Sequence, residues 1–158
     1  MGISFKFLRD HPQYIETVTD WLYSEWGNEN YKFWKSWVEN SLCKSDVPQT
    51  FLVFVDDTLV GTYSLWRCDL QSRQDLYPWF GGLYVIPTCR GKLFDGIKLG
   101  EHIQKHAIEQ LKLLGYKEVF LFTEKEPKYY LSNGWKIFDS APNEYDEMVT
   151  ICRYDLSS

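Results

Sequence analysis

The segment from Trp79 to Thr123 constrains the fold more than any other part of the chain. Trp79 to Val85 is an apolar, aromatic run of strand length. From Ile97 onward apolar residues recur every third or fourth position, which predicts an amphipathic helix that stops at Gly115. Glu118 to Thr123 then predicts a short buried strand. Two strands joined in this way through a helix require a right-handed crossover and a parallel pairing.

The segment that precedes this unit predicts antiparallel pairing. Two apolar runs between Phe51 and Cys68 are separated by Asp56 and Asp57, a pattern typical of a β-hairpin. The other predicted elements are strands over residues 3–8, 135–140 and 148–154, and helices over residues 13–25, 31–42 and 127–133. The order β-α-α-β-β-β-α-β-α-β-β predicts one α/β domain over residues 1–158, with a central mixed, mostly antiparallel sheet in a three-layer α-β-α arrangement.

Composition excludes several classes of protein. The net charge is -5 and no basic stripe is present, which argues against a nucleic-acid partner. No apolar run approaches the roughly 18 residues that a membrane span needs. The first ten residues do not form a signal peptide, because charges interrupt them, and a cytoplasmic location is expected. The cysteines are too far apart for a structural zinc site or a disulfide framework: Cys43, Cys68, Cys89 and Cys152.

Three segments carry a family resemblance that covers nearly the whole chain. The first, LYVIPTCRGK, is an apolar strand followed by Val-x-Pro and Arg-Gly-Lys. The second is the amphipathic helix that ends in Leu114-Gly115-Tyr116 and leads into the strand VFLFT. The third, KYYLSNGWKIF, contains Tyr-x-x-x-Gly-aromatic from Tyr130 to Trp135. In this order and spacing the chain resembles the GNAT acetyltransferase superfamily, which implies a GNAT-like fold and the use of acetyl-CoA.

The resemblance implies where acetyl-CoA binds. The loop before the long helix would hold the pyrophosphate, because glycines allow close approach, cations add charge, and a helix N-terminus offers free N–H groups. The backbone of the preceding strand would hold the pantetheine arm and stabilise an oxyanion. The implied contacts are Leu83, Tyr84 and Val85 on the strand, and Arg90, Gly91, Lys92, Leu93 and Gly96 in the loop. Ordinary solvent-facing cations in a strand–helix turn are the alternative.

The loop departs from the family pattern, Arg/Gln-x-x-Gly-x-Gly/Ala. Counted from Arg90, Leu93 and Asp95 stand where the small residues should be. The loop is therefore expected to be longer or rearranged. Asp95 is predicted to cap the helix, and its carboxylate would compete with a phosphate for the same N–H groups.

Tyr130 is the candidate catalytic side chain, since the family places a tyrosine here beside the leaving CoA thiolate. A phenol has a pKa of about 10 and a thiol about 8.5, so full proton transfer is uphill by roughly 2 kcal/mol, and a hydrogen bond to the thiolate is an equal alternative. A buried packing role is a third. Tyr129 matches the family's packing aromatic.

The acceptor amine also needs a base, because an alkylammonium has a pKa of about 10.4. Candidates at the ends of predicted elements are Glu25, Asp69, Asp75 and Glu124, each with an ordinary surface role as its alternative. An aromatic pocket for a cation is predicted from Trp26, Tyr31, Trp34, Trp66 and Trp79, with core packing as the alternative.

The histidines do not predict a metal site. His102 and His106 lie one helical turn apart, but no third ligand is evident. Both are expected to be exposed on the helix, and His11 is expected in a loop. No metal is therefore predicted.

These features predict an acetyl-CoA-dependent N-acetyltransferase that acts by direct transfer on the primary amine of a small molecule or peptide. No nucleic-acid or membrane partner is expected, and the resemblance is compatible with a homodimer. The alternative is a protein on the same scaffold that binds acyl-CoA, or a regulatory partner, without catalysis. A third alternative, an unrelated nucleotide-binding α/β module, is disfavoured, because neither G-x-G-x-x-G nor G-x-x-x-x-G-K-[ST] occurs.

Overall fold

The computed structural model describes residues 2–27 and 30–157. Its strands and helices lie close to the predicted positions, and a short hairpin (β5 and β6) was not predicted. In chain order they are β1 (Ile3–Phe7), α1 (Ile15–Trp26), α2 (Tyr31–Glu39), β2 (Gln49–Val55), β3 (Thr58–Trp66), β4 (Trp79–Val85), β5 (Leu93–Phe94), β6 (Ile97–Lys98), α3 (Leu99–Leu113), β7 (Glu118–Thr123), α4 (Lys128–Leu131), β8 (Lys136–Pro142) and β9 (Met148–Asp155).

Seven strands form one mixed sheet in the order β1-β2-β3-β4-β7-β9-β8. The pair β4–β7 is parallel and its strands are joined through α3, whereas the other five pairs are antiparallel. The predicted mixed, mostly antiparallel sheet is therefore confirmed, and so is the hairpin that turns at Asp56 and Asp57.

Helices cover both faces of the sheet, as the buried apolar run of β2 requires. Alternate side chains of a strand point to opposite faces. Phe51 and Val53 pack in the cluster that contains residues of α3, while Leu52 and Phe54 pack in the cluster that contains residues of α1 and α2. The three-layer arrangement is therefore confirmed.

The two faces are packed differently. On the α3 side one continuous cluster includes Leu99, Ile103, Ala107 and Leu111, which recur at every fourth position of the helix. On the other side the core is divided between a cluster under α1 and α2 and a second cluster around Trp79. Within the described ranges no helix is both long and apolar enough to cross a membrane.

Candidate active site

The sheet opens between its two parallel strands. Trp79 pairs with Phe120 at the start of β4, and no further pair joins β4 to β7 among the described residues. Beyond this point the two strands diverge, so the second half of β4 has a free edge. This edge belongs to the strand whose backbone the resemblance assigns to the pantetheine arm.

A β-bulge reshapes β4 beside this opening. Ser64 of β3 pairs with Gly81 and Thr62 pairs with Tyr84, so β4 carries one residue more than β3 in this interval. Gly82, inside the bulge, has a φ of +59°, a left-handed conformation that suits glycine. Glycine at this position therefore permits the bulge.

The ring of Trp66 requires both glycines. A Cβ atom on Gly81 would lie 2.8 Å from Cζ3 of Trp66, and one on Gly82 would lie 2.9 Å from Cη2 of the same ring. Trp66 itself is almost fully buried. The indole therefore lies directly against the β4 backbone, where a larger residue would displace it.

A cavity of about 680 Å³ opens on the face opposite α3, at the break between the two core clusters. Its floor includes Gly81, Gly82 and Leu83 of β4. The aromatic lining comes from Trp26, Phe33, Trp34, Trp37, Trp66, Phe80, Phe122, Tyr130 and Tyr145. Five carboxylates also line it: Glu25, Asp69, Glu124, Glu144 and Asp146. None of the described lining residues is a lysine or arginine, so the cavity favours a cation.

The predicted aromatic pocket is only partly correct. Trp26, Trp34 and Trp66 line the cavity. Trp79 is buried in the core and its indole N–H donates to the carbonyl of Leu76. Tyr31 donates to Asp20 instead, between α1 and α2. Phe33, Trp37 and Tyr145 also line the cavity and were not predicted. The four-residue spacing of Phe33 and Trp37 on α2 places both on one helix face, a signal that could have indicated them.

Among the predicted bases, Asp69 has the most distinctive surroundings. It is the half-buried carboxylate of the cavity, whereas the other four belong to exposed residues. Its Oδ2 lies 2.7 Å from the position that a Cβ atom on Gly81 would take. Burial raises the pKa of this carboxyl to about 7. Asp69 is therefore poised to exchange a proton near neutral pH.

The other three candidates are placed differently. Asp75 pairs with Arg73 at 2.9 Å and does not line the cavity, so its predicted role as a base has no structural support. Glu25 lines the cavity but also lies 3.4 Å from Nη2 of Arg90. Glu124 lines the cavity and is exposed.

Tyr130 lines the cavity from α4, opposite the bulged strand. It packs edge-on against Trp135, and burial raises the pKa of its phenol. The phenol therefore holds its proton and can donate a hydrogen bond into the cavity. Tyr129 points elsewhere: its hydroxyl lies 2.7 Å from the position of a Cβ on Gly100 in the first turn of α3. Tyr130 therefore lines the cavity, while Tyr129 lies against the start of α3.

The loop between β4 and α3 is rearranged, as expected. Arg90 turns back onto β4: its Nε donates to the carbonyl of Val85 at 2.7 Å, and its guanidinium lies 5.2 Å from the ring of Tyr84. Gly91 has a φ of +77° and Lys92 is exposed. After Lys92 the chain forms the β5–β6 hairpin, so Leu93 pairs with Lys98 rather than starting a helix.

The predicted capping role of Asp95 is wrong. Asp95 and Gly96 form the turn of the β5–β6 hairpin, with φ of +50° and +84°, which places Asp95 well before α3. The helix begins at Leu99, and its N-cap residue Lys98 makes no side-chain capping bond. The N–H groups at the start of α3 are thus not capped by Asp95, and the acidic residue of the first turn is Glu101.

Both helix histidines were wrongly expected to be exposed. His106 lies with its Nδ1 2.6 Å from the hydroxyl of Tyr63 and stacks on Phe5 at 4.0 Å. His102 lies with its Nε2 2.6 Å from the carbonyl oxygen of Phe94, which ties the β5–β6 hairpin to α3. Both therefore face neighbouring protein. His11 lies between two 3-10 turns, as expected. No group of three or more metal-ligating side chains occurs within residues 2–27 and 30–157.

Comparison with known proteins decides the family. Residues 12–130, more than half of the chain, match the acetyltransferase (GNAT) family. The chain belongs to the GNAT acetyltransferase family. This confirms the resemblance and the expected class of enzyme, an acyltransferase. A search of curated sequences finds no significant relative of this GNAT member.

Solved structures share the fold across almost the whole chain. An aminoglycoside 6'-N-acetyltransferase complexed with coenzyme A is 16% identical, with a TM-score of 0.75, and covers 99% of this chain and 97% of its own. An aminoglycoside 6'-N-acetyltransferase from Enterococcus faecium is also 16% identical, with a TM-score of 0.72 and the same coverage. A spermidine N-acetyltransferase chimera from Vibrio cholerae and hSSAT is 14% identical, with a TM-score of 0.72, covering 99% and 97%. At this identity they show the GNAT fold alone.

Proposed function

We propose that this GNAT member transfers the acetyl group of acetyl-CoA directly to a primary amine of a cationic small molecule. The observation that carries the proposal is the bulged, free edge of β4 at the floor of a cavity lined by aromatic rings and carboxylates. The first feature suits an acyl thioester and the second suits an ammonium group. Both meet at Gly81, Gly82 and Leu83.

The acyl donor would lie along the second half of β4. Its amide groups can pair with the free edge at Leu83 to Val85, apart from the carbonyl of Val85, which already accepts a bond from Arg90. The pyrophosphate would lie near the open first turn of α3, with the exposed Lys92 nearby in the loop. Backbone N–H groups at the bulge would stabilise the oxygen of the thioester as negative charge develops.

Tyr130 would stabilise the leaving group, the thiolate of CoA. Its neutral phenol lines the cavity and can donate a hydrogen bond to the developing thiolate, or pass its proton to it. A thiolate stabilised in this way leaves more readily, since only interactions stronger in the transition state accelerate the reaction.

Direct transfer is consistent with the protonation state of Cys68, a cysteine that lines the cavity. Its thiol contacts the carbonyl of Leu70 at 3.5 Å, and burial raises its pKa. A protonated thiol is a poor nucleophile, because the thiolate is the reactive form. An acetyl-cysteine intermediate is therefore not part of the proposal, and Cys68→Ala is expected to retain activity.

The first experiment is calorimetry with acetyl-CoA on the wild type and on an Arg90→Ala/Lys92→Ala variant. Micromolar binding is expected, weakened several-fold in the variant. Spermidine and a 6'-amino aminoglycoside then serve as acceptors in an assay that follows release of the CoA thiol. Binding without transfer to any amine of a broad panel would refute the proposed function.

That result would favour a protein that binds acyl-CoA without catalysis. One observation speaks for this alternative: the guanidinium of Arg90 already bonds to Val85 and Glu25 within the protein. The effect of the double variant measures whether Arg90 is released when acetyl-CoA binds.

A further inference from the structure

We propose that Asp69 receives the ammonium group of the acceptor and takes its proton before the amine attacks the thioester. This inference rests on the proposed function, because it assigns the base of that reaction.

Asp69 lies where the acceptor nitrogen must arrive. Its Oδ2 is close enough to the Gly81 backbone to clash with a Cβ there, at 2.7 Å. Gly81 directly precedes the bulge at Gly82 and Leu83, where the carbonyl of the thioester is proposed to bind. Tyr130 lines the same cavity. Asp69 and the proposed leaving-group donor therefore border one space, with the bulged strand in its floor.

Asp69 also lacks the kind of partner that four other aspartates of the described residues have. Asp10 pairs with Lys44, Asp46 accepts a bond from Tyr116, and both Asp75 and Asp139 pair with Arg73. No described residue donates a hydrogen bond to the carboxylate of Asp69. A half-buried carboxylate without a donor is costly unless a ligand supplies one, and an ammonium group brings three.

Burial brings the pKa of the Asp69 carboxyl closer to that of the ammonium group whose proton it is proposed to accept. An alkylammonium of pKa about 10.4 gives up its proton to an ordinary carboxylate, of pKa about 3.9, with an equilibrium constant unfavourable by over six orders of magnitude. Because the pKa of the Asp69 carboxyl is about 7, this equilibrium constant is unfavourable by only about three orders of magnitude. Proton transfer from the ammonium group to Asp69 is therefore far less unfavourable than transfer to an ordinary carboxylate.

Other titratable groups face the same cavity. They are Glu25 from α1, Cys68 beside Asp69 itself, Glu124 after β7, Tyr130 from α4, and Glu144 and Asp146 from the turn between β8 and β9. The four other carboxylates belong to exposed residues. They can attract a cation to the mouth of the cavity, whereas Asp69 lies against the backbone of Gly81.

In the proposed reaction each proton that leaves the amine nitrogen has an acceptor. The ammonium gives one proton to the Asp69 carboxylate, and the neutral amine attacks the thioester carbon. The C–N bond forms, the C–S bond breaks, and the CoA sulfur leaves as a thiolate. The second proton lost from nitrogen reaches the sulfur, directly or through Tyr130. Asp69 then releases its proton to water, so the products are an amide, a CoA thiol and one free proton.

The test compares Asp69→Asn with Asp75→Asn, which removes a carboxylate from the same part of the chain but outside the cavity. With spermidine as acceptor, Asp69→Asn is expected to lower kcat/KM at least 100-fold, with acetyl-CoA affinity within twofold of wild type. The wild-type rate should rise with pH through about 7. The Asn variant should lose that rise, Asp69→Glu should restore part of it, and Asp75→Asn should keep it.

Two matched amines sharpen the test. A fluorinated alkylamine, already neutral at pH 7, needs no base, so Asp69→Asn should lower its rate less than tenfold, while the unfluorinated parent should show the full loss. Equal losses with both amines, or an unchanged pH profile in Asp69→Asn, would overturn the assignment.

Failure of the proposed function gives a different result. If the wild type binds acetyl-CoA but acetylates no amine, the proposed function is wrong. The role of Asp69 in holding an ammonium group is then tested by measuring amine binding alone. Calorimetry of spermidine with the CoA-bound protein should show at least tenfold weaker binding for Asp69→Asn. Unchanged spermidine binding would overturn the ammonium site as well.

Discussion

The two faces of the sheet use the burial of titratable groups in opposite ways. On the α3 face, burial lowers the pKa of His106 to about 4, and the imidazole is paired with Tyr63 inside a continuous core. On the opposite face, burial raises the pKa of Asp69 to about 7, and the carboxylate meets a cavity without a partner. The same physical cause thus favours the neutral form of both groups. The group that is paired within the protein, His106, therefore has a structural role, whereas the unpaired Asp69 is the group proposed to meet the substrate.

The largest expected effect is that of Gly81→Ala. The new methyl group would meet both Trp66 and Asp69, so the floor of the cavity must shift. We expect kcat/KM to fall at least 100-fold, which corresponds to about 2.7 kcal/mol of transition-state stabilisation. Gly115→Ala is the matched control: its φ of +88° also disfavours alanine, but nothing lies within 4 Å. It should lower stability by about 1 kcal/mol and leave activity intact. Equal activity losses in both variants would contradict the proposed site.

Two tyrosines, the partly buried Tyr130 and the buried Tyr63, test the comparison directly. Tyr130→Phe should reduce kcat about 10- to 100-fold, or about 1.4 to 2.7 kcal/mol, because the leaving thiolate loses its donor, while acetyl-CoA affinity stays the same. Tyr63→Phe should leave kcat unchanged and reduce the free energy of unfolding by about 1 to 2 kcal/mol, because His106 loses its partner. Saturating steady-state kinetics and urea denaturation measure the two effects. If Tyr130→Phe turns over as fast as wild type, Tyr130 has no catalytic role.

The third prediction concerns acid stability on the α3 face. The pKa of His106 is about 4 in the folded protein and about 6.5 when unfolded, so the unfolded state binds more protons between these values. Its contribution to stability is complete above pH 6.5 and falls as the pH drops toward 4. After discounting its partial exposure, we expect a loss of about 2 kcal/mol over this window. His106→Gln, which keeps a hydrogen-bonding group, should show a shallower acid dependence in urea titrations at pH 7 and 4.5. An unchanged slope would show that other groups cause it.

The fold could be predicted because its evidence is local in sequence. The four-residue spacing of Ile103, Ala107 and Leu111 predicts α3, and β2 is recognisable as an apolar run bounded by a turn. The parallel pair follows from chain order and from the handedness of crossovers. The β5–β6 hairpin was missed because each strand has two residues, too few to show alternation.

The site was harder to predict because its residues are brought together only by tertiary packing. Asp69 could not be distinguished from Asp75 in sequence, yet one lines the cavity and the other pairs with Arg73. The aromatic residues were assigned by proximity to predicted elements, which does not show the side of a strand or helix on which each ring lies. Trp79 was therefore placed in the pocket although it lies in the core. Arg90 looked free for a phosphate because its bond to Val85 depends on how the loop folds back.

The smallest expected effect is on stability, and it concerns Asp69 apart from its proposed role in the reaction. Its folded pKa of about 7 lies above the unfolded value of about 3.9, so the folded state binds the extra proton between these values. Its contribution to stability is greatest below pH 3.9 and is lost as the pH rises through 7. Asp69→Asn carries no charge to desolvate, so it should be more stable than wild type at pH 8.5, by about 1 kcal/mol given that the carboxylate borders the cavity, and should gain less at pH 5.

Thermal unfolding at the two pH values, with Asp75→Asn beside it, measures this difference. Asp75→Asn removes a charge that Arg73 stabilises, so it should gain nothing at high pH. A stabilised but inactive Asp69→Asn would mean that this face of the sheet gives up stability for its site, as strained or unpaired groups at active sites do. A destabilised Asp69→Asn would instead place Asp69 with His106, as a group whose partner lies within the protein.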